Sequence, residues 1–171
     1  VKDIYQSGNH LLSLVSDMLD FAKLEAGRLS FSSDPFNLRK VLSEVVESMA
    51  VQCKKCHLDL FLDYCDTVPR HMEGDASRVR QIIINLITNA IKFTPNGHIF
   101  VAVETLQESH NQALLQITVE DTGIGIPTNK INQIFDRYTQ LNNQVNSSQK
   151  SGSGLGLAIV KRTAGLLGLE I

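Results

Sequence analysis

Residues 75–95 read D-A-S-R-V-R-Q-I-I-I-N-L-I-T-N-A-I-K-F-T-P, and the fold turns on this stretch. Val79, Ile82, Ile83, Leu86, Ile87, Ala90 and Ile91 recur at three- and four-residue steps, the period of an apolar helical stripe. Gln81, Asn85 and Asn89 stand at i, i+4 and i+8, and Lys92 follows three residues later. Those four share another face of the helix, stacked one above another. Amides and an ammonium are costly to place in a core unless something satisfies them, and a metal ion with a phosphate would do so. Asp75 is positioned to cap the helix, and Thr94-Pro95-Asn96-Gly97 ends it in a turn.

Outward from that helix, further elements can be read. Asn37 to about Lys54 is expected to be a helix, with Leu38, Val41, Leu42, Val45, Val46 and Met49 buried. His57–Tyr64 alternates as a strand, with Leu58, Leu60 and Leu62 on one side and Asp59, Phe61 and Asp63 on the other. Residues 98–104 and 113–120 read as a strand pair, with Thr105–Gln112 as the polar loop between them. Residues 141–151, L-N-N-Q-V-N-S-S-Q-K-S, are polar and read as a loop, and a last helix is expected from about Gly154 to Leu167. At the front, Ile4, Gly8, Leu11, Val15, Met18 and Ala22 mark a seam on a long helix over residues 1 to about 29. Gly27 stops it, and Ser32-Ser33-Asp34-Pro35 is a breaker cluster.

The 171 residues suffice for one domain with a real core and an appendage. A hydrophobic content of 43% and a charged content of 20% are those of a soluble globular protein. A net charge of −2 and no Lys/Arg block argue against nucleic acid as a partner. No apolar run approaches the ~18–20 residues that span a bilayer, so no membrane contact is expected. Cys53, Cys56 and Cys65 are too few for a disulfide scaffold and fit a reducing, cytoplasmic setting. Cys53-Lys54-Lys55-Cys56-His57 matches a haem-attachment spacing, but it straddles a helix end and a strand start, and chance spacing is the better reading.

Two glycine-rich segments follow downstream. Asp121-Thr122-Gly123-Ile124-Gly125-Ile126-Pro127 comes just after a strand, where glycines permit a tight turn and close approach to a flat ligand. Its carboxylate suits the exocyclic amine of adenine. Gly152-Ser153-Gly154-Leu155-Gly156-Leu157-Ala158 opens the last helix, where backbone N–H groups and the helix dipole favour anionic oxygens. Neither motif is specific alone. The spacing excludes a dinucleotide-fold G-x-G-x-x-G, and no Walker-type G-K-S/T follows.

In this order, the segments resemble the ATP-binding domain of sensor histidine kinases, within the superfamily shared with DNA gyrase and the mismatch-repair ATPases. N-L-I-T-N-A-I-K-F-T-P is similar to the family's N box, D-T-G-I-G-I-P to its first glycine box, Ile134-Phe135-Asp136-Arg137-Tyr138 to its F box and G-S-G-L-G-L-A-I-V to its second glycine box. L-L-S-L-V-S-D-M-L-D-F-A-K-L-E-A-G is similar to the second helix of the dimerisation hairpin. The resemblance implies an α+β fold, a two-layer sandwich whose mixed sheet is covered by helices on one face. It implies residues 1–30 as half of a dimerisation hairpin, its second helix, and 31–171 as the ATP-binding domain without its last hairpin.

The same resemblance implies roles. Asn89 and Asn85 would hold Mg²⁺, and Lys92 would face the phosphates. Asp121 would hold the adenine amine, with Gly123 and Gly125 at the turn and Phe93, Ile126 and Phe135 lining the base. Gln140 would stand where many members carry a phosphate-reaching Arg, and Gln there suggests a hybrid, phosphorelay parent. Residues 141–151 would be a lid, and Gly152, Ser153, Gly154, Leu155, Gly156 and Leu157 would cradle the triphosphate. Hydrolysing relatives carry a Glu four residues before the metal Asn. Here Asn85 stands there and cannot take a proton, so phosphoryl transfer is favoured over hydrolysis. The family's S-H-E-L-R-T-P-like acceptor segment does not occur, so the phosphorylated histidine is expected outside this chain, and His10 is not its equivalent. Implied partners are a second copy and a response-regulator receiver domain. The alternatives are a regulatory pseudokinase with a structural or empty nucleotide site, and an ATP-hydrolysing clamp, which Asn85 disfavours.

Overall fold

A computed structural model describes residues 31–110, 112–136, 139 and 154–171, together with Gly8, Val15 and Met18. These fall into two compact units: Phe31–Gly125, and the described residues outside that span.

The first unit opens with β1 (Asp34–Asn37), which runs directly into α1 (Leu38–Lys55). Asn37 caps α1, accepting from the Lys40 amide at 2.9 Å. Leu38, Val41, Leu42, Val45, Met49 and Cys53 form its buried stripe, while Val46 is only half-buried. β2 (Leu58–Tyr64) follows after a sharp turn at His57, whose φ is +57°. β3 (His71–Gly74) then pairs antiparallel with β1. The breaker cluster at Ser32–Pro35 is therefore partly strand. Pro35 lies in a two-stranded ribbon, where the lost N–H is tolerated. β3 itself carried no signal in the sequence.

α2 (Ala76–Phe93) starts at Asp75, the expected cap, whose carboxylate accepts from the Ser77 amide at 3.0 Å and the Arg78 amide at 3.1 Å. Ile82, Ile83, Ile87, Ala90 and Ile91 are buried, and Val79 and Leu86 are half-buried at the stripe's margins. β4 (Gly97–Ser109) pairs parallel with β2 and antiparallel with β5 (Gln112–Asp121), so the three-stranded sheet is mixed, in the order β2-β4-β5. The expected loop at Thr105–Gln112 is mostly strand. The hairpin continues to Ser109 and Gln112, with a register irregularity between Thr105 and Gln107.

One face of this sheet is the core face. Ile99, Val101 and Val103 are fully buried there, in register with Leu60, Leu62 and Tyr64 on β2 and with Asp121, Val119 and Ile117 on β5. α1 packs on β2 and on α2, and α2 packs on β4 and β5. The other face carries Phe61 and His98, whose rings meet edge-on at 6.0 Å.

In the second unit a 3₁₀ turn covers Thr128–Gln133, and α3 (Gly156–Leu166) buries Ala158, Ile159, Val160, Thr163 and Ala164. Gly8, Val15 and Met18 are helical and exposed; the rest of the expected N-terminal helix lies outside the described residues. No helix among the described residues is long and apolar enough to cross a membrane.

Candidate functional site

The end of β5 is joined to the C-terminal end of α2. Register with Ile99 puts Asp121 on the core face, at the last rung of the ladder. Its Oδ1 accepts from the Gly123 amide at 2.8 Å and from the Thr94 hydroxyl at 3.3 Å. Its Oδ2 accepts from no described residue. Thr94 is the C-cap of α2 and is buried. The Ile124 amide donates to the Phe93 carbonyl at 3.2 Å. A Cβ at Gly123 would collide with the Phe93 carbonyl oxygen and come within 2.6 Å of Asp121 Oδ1, so only glycine fits there. Gly125 has φ +67° and open space where a side chain would stand. One carboxylate oxygen is thus fixed by the fold, and the other has no partner among the described residues.

Thr94 and Thr122 were not singled out in the sequence. The Thr122 hydroxyl accepts from the His98 amide at 3.0 Å and holds the start of the glycine turn against β4. Thr94 sits inside the F-T-P end of the N box, but only the strand pairing reveals that it meets Asp121.

Along α2, Gln81, Asn85, Asn89 and Lys92 are all half-buried. The amides of Asn85 and Asn89 form no hydrogen bond with described residues. The Lys92 ammonium lies 5.1 Å from the centre of the Phe93 ring. One turn earlier, Arg78 donates to Gln81 Oε1 at 3.0 Å and extends the same polar face. No cluster of three or more His, Cys, Asp or Glu suited to a metal occurs among the described residues. Amide oxygens are hard donors that suit Mg²⁺, which accepts one or two protein ligands and completes its octahedron with phosphates and water. The unpaired amides of Asn85 and Asn89 fit that requirement.

In the second unit Ile126 is exposed and Phe135 is half-buried, with the Lys161 ammonium 5.6 Å from its ring centre. Gly154 has φ +67°, Leu155 is 2% exposed, and Gly156 and Leu157 open α3 half-buried. The helix has no side-chain cap hydrogen bond at its N-terminus. Gln140, Gly152, Ser153, Arg137, Tyr138 and residues 141–151 lie outside the described residues.

Burial acts to raise the Asp75 carboxyl, but hydrogen bonds from Ser77, Arg78 and Ser32 outweigh it and hold its pKa below the usual 3.8. Burial pushes the Cys53 thiol above its usual 9.0, which disfavours the thiolate that a metal needs. Cys53 lies on the buried stripe of α1, whereas Cys56 is its exposed C-cap, so the C-x-x-C spacing reflects a helix end.

Residues 74–171 match the model of the histidine kinase-, DNA gyrase B- and HSP90-like ATPases. The signal transduction histidine-protein kinase BarA of Escherichia coli K12 is 40% identical over 168 residues, which cover 98% of this chain and 18% of BarA. The hybrid signal transduction protein dokA of Dictyostelium discoideum is 38% identical over 172 residues, covering 98% of this chain and 10% of dokA. Full-length ShkA, solved in complex with AMPPNP, superposes with a TM-score of 0.82 at 30% identity, over 98% of this chain and 33% of ShkA. The chain thus spans less than a fifth of each of those two relatives, at 18% and 10%.

Proposed function

We propose a function from one premise: this chain belongs to the histidine kinase-, DNA gyrase B- and HSP90-like ATPase family. It is the ATP-binding catalytic module of a sensor histidine kinase, moving the γ-phosphoryl of Mg-ATP to a histidine outside this chain, for onward transfer to a receiver-domain Asp. The observation that carries this reading is the divided carboxylate of Asp121, with Oδ1 tied to Gly123 and Thr94 and Oδ2 left over. A free acceptor on a rigid strand end, beside a helix bearing two unpaired amides and a lysine, is a place for adenine next to a place for phosphates.

In this reading Asp121 Oδ2 accepts from the adenine amine, and Phe93, Ile126 and Phe135 supply apolar walls. Gly123 and Gly125 let the backbone come close. Lys92 meets phosphate oxygens, the amides from Gly152 to Leu157 cradle the triphosphate, and Gln140 is assigned to the same ligand. Asn89 and Asn85 would hold Mg²⁺, which when bound spreads the charge of the transferring phosphoryl. Position 85 offers no base to a water, so the chain's residues position the phosphoryl without activating hydrolysis. Residues 1–30 are the second helix of a dimerisation hairpin and 31–171 the ATP-binding domain. This part of the parent, membrane-anchored or not, works in the cytoplasm as a homodimer paired with a receiver domain, and similarity to a hybrid protein supports that partner.

Calorimetric titration of Mg-AMPPNP into this chain tests the site. Binding on the order of micromolar is expected, weakened about ten- to a hundredfold by Asp121→Asn, as one charge-assisted hydrogen bond is worth about 1.5–3 kcal/mol. Equal affinity in the variant, or no binding by folded chain, would refute the assignment. With labelled ATP the chain alone should stay unlabelled, and an acid-labile label on it would show that the acceptor histidine lies within.

A further inference from the structure

A second concave site lies where β1 enters α1. A shallow cavity of about 300 Å³, wide open to solvent, is lined by Asn37, Ser43 and the exposed Arg39, Lys40 and Arg70. None of the residues assigned to nucleotide lines it. The topology assembles it: Asn37 pairs with His71 at the end of β1, which carries Arg70 beside the first turn of α1. The Leu38 amide donates to the Arg70 carbonyl at 3.1 Å and fixes that approach.

Three cations from two segments converge here without a carboxylate in the lining, in a chain whose net charge is −2. Glu44 is 4.0 Å from Lys40, but its carboxylate is taken by Arg80 at 2.5 Å, and the Lys40 contact is exposed and weak. Arg39 lies 5.3 Å from the centre of the Tyr64 ring, which orients its guanidinium. Burial raises the Tyr64 phenol above its usual 10.0, and the positive charges of Arg39 and Arg70 both act against that rise. Neither arginine is ion-paired to a described carboxylate. The helix N-terminus is not the attraction, since Asn37 already occupies the Lys40 amide. Like charges gathered on an oriented frame are relieved by an anion, and arginine forks match the oxygens of phosphate.

We propose that this cavity binds a phosphoryl dianion, as free phosphate or as the head of a small phosphomonoester, at a site separate from the nucleotide. Its volume is at the small end for ligand pockets, and its open mouth leaves room for an ester group beyond a bound phosphate.

The test is a ¹⁵N-resolved NMR titration of the whole chain with inorganic phosphate, then with glycerol 2-phosphate, against sodium chloride at matched ionic strength. Saturable shifts are expected at the amides of residues 37–43 and 70 and at the Arg39 and Arg70 Nε–H groups, with chloride giving none. Arg39→Gln and Arg70→Gln should each weaken binding about tenfold, the loss of one charge-assisted contact. Both residues are exposed, so neither change removes core packing. Arg70→Lys keeps the charge without the fork and should weaken it less. Tighter binding of the monoester would identify an organic phosphate as the ligand, and equal binding would identify free phosphate. Shifts that rise linearly, that fall only on the polar face of α2 and the glycine-rich segments, or that survive both Gln variants would overturn the proposal. AMPPNP affinity should not change in these variants, so failure here and failure of the nucleotide reading are separately visible.

Discussion

At the start of α2, Asp75 is 6% exposed and its two oxygens take hydrogen bonds from Ser32, Ser77 and Arg78. At the start of α3, Leu155 is 2% exposed, brings no oxygen, and the helix has no side-chain cap. Helix N-termini leave backbone donors that need partners. α2 meets that need with its own carboxylate and is closed at this end. Its working residues lie along its flank and at its other end, where Thr94 reaches Asp121. α3 is anchored by an apolar side chain instead, in keeping with an N-terminus assigned to phosphates. A capped end is closed by its own side chain, whereas an end held by packing has no capping side chain.

The largest effect should come from the anchor of α3. Leu155→Ala empties a buried site and should cost about 2–5 kcal/mol in urea denaturation. A loss under about 1 kcal/mol would mean that something other than packing holds that end. Next is Gly123→Ala, which drives a Cβ into the Phe93 carbonyl. About 1–3 kcal/mol of stability should go, and AMPPNP affinity should fall with it as Asp121 is displaced. Unchanged affinity would separate the turn from the site.

Asp75→Ala should cost about 1 kcal/mol, within a range of about 0.5–2, and leave AMPPNP affinity unchanged. A drop in affinity would erase the distinction between closed and working ends. The smallest effect is on pH dependence. The folded-state pKa of Asp75 lies below the unfolded value, so its stabilisation is complete above about 3.8 and is lost as pH falls through the folded value. The stability gap between the native chain and Asp75→Asn should therefore be constant near neutrality and close in acid. A gap that persists through acid titration would assign the acid sensitivity to other carboxylates.

Both long helices were legible because their apolar residues repeat with the helical period, and Asp75 was legible as a cap because a short oxygen side chain precedes its stripe, whereas Asn37, read as the first helical residue, proves to be the cap of α1. β1 and β3 were not. Each has four residues, and each gains its structure from a partner 34 to 40 positions away that no local pattern announces, as Asn37 opposite His71 and Asp34 opposite Gly74 show. The distal hairpin was lost for a related reason: Gln107, Glu108 and Ser109 are polar on both faces, and only their pairing with Leu114, Ala113 and Gln112 makes them strand. Val46, Val79 and Leu86 sit at the edges of their stripes, where periodicity does not say how far the neighbouring layer extends.

The nucleotide-site residues divide along the same line. Asn85, Asn89 and Lys92 share a face because 3.6 residues make a turn, which sequence spacing determines by itself. Asp121 and Thr94, 27 residues apart, meet only because β5 pairs with β4 in a register that places Asp121 opposite Ile99, beside the last turn of α2. Local spacing determines which side chains share a face, since backbone geometry repeats. Strand register and helix packing decide which faces meet and which polar atoms remain unspent, because those follow from long-range burial that no short stretch encodes.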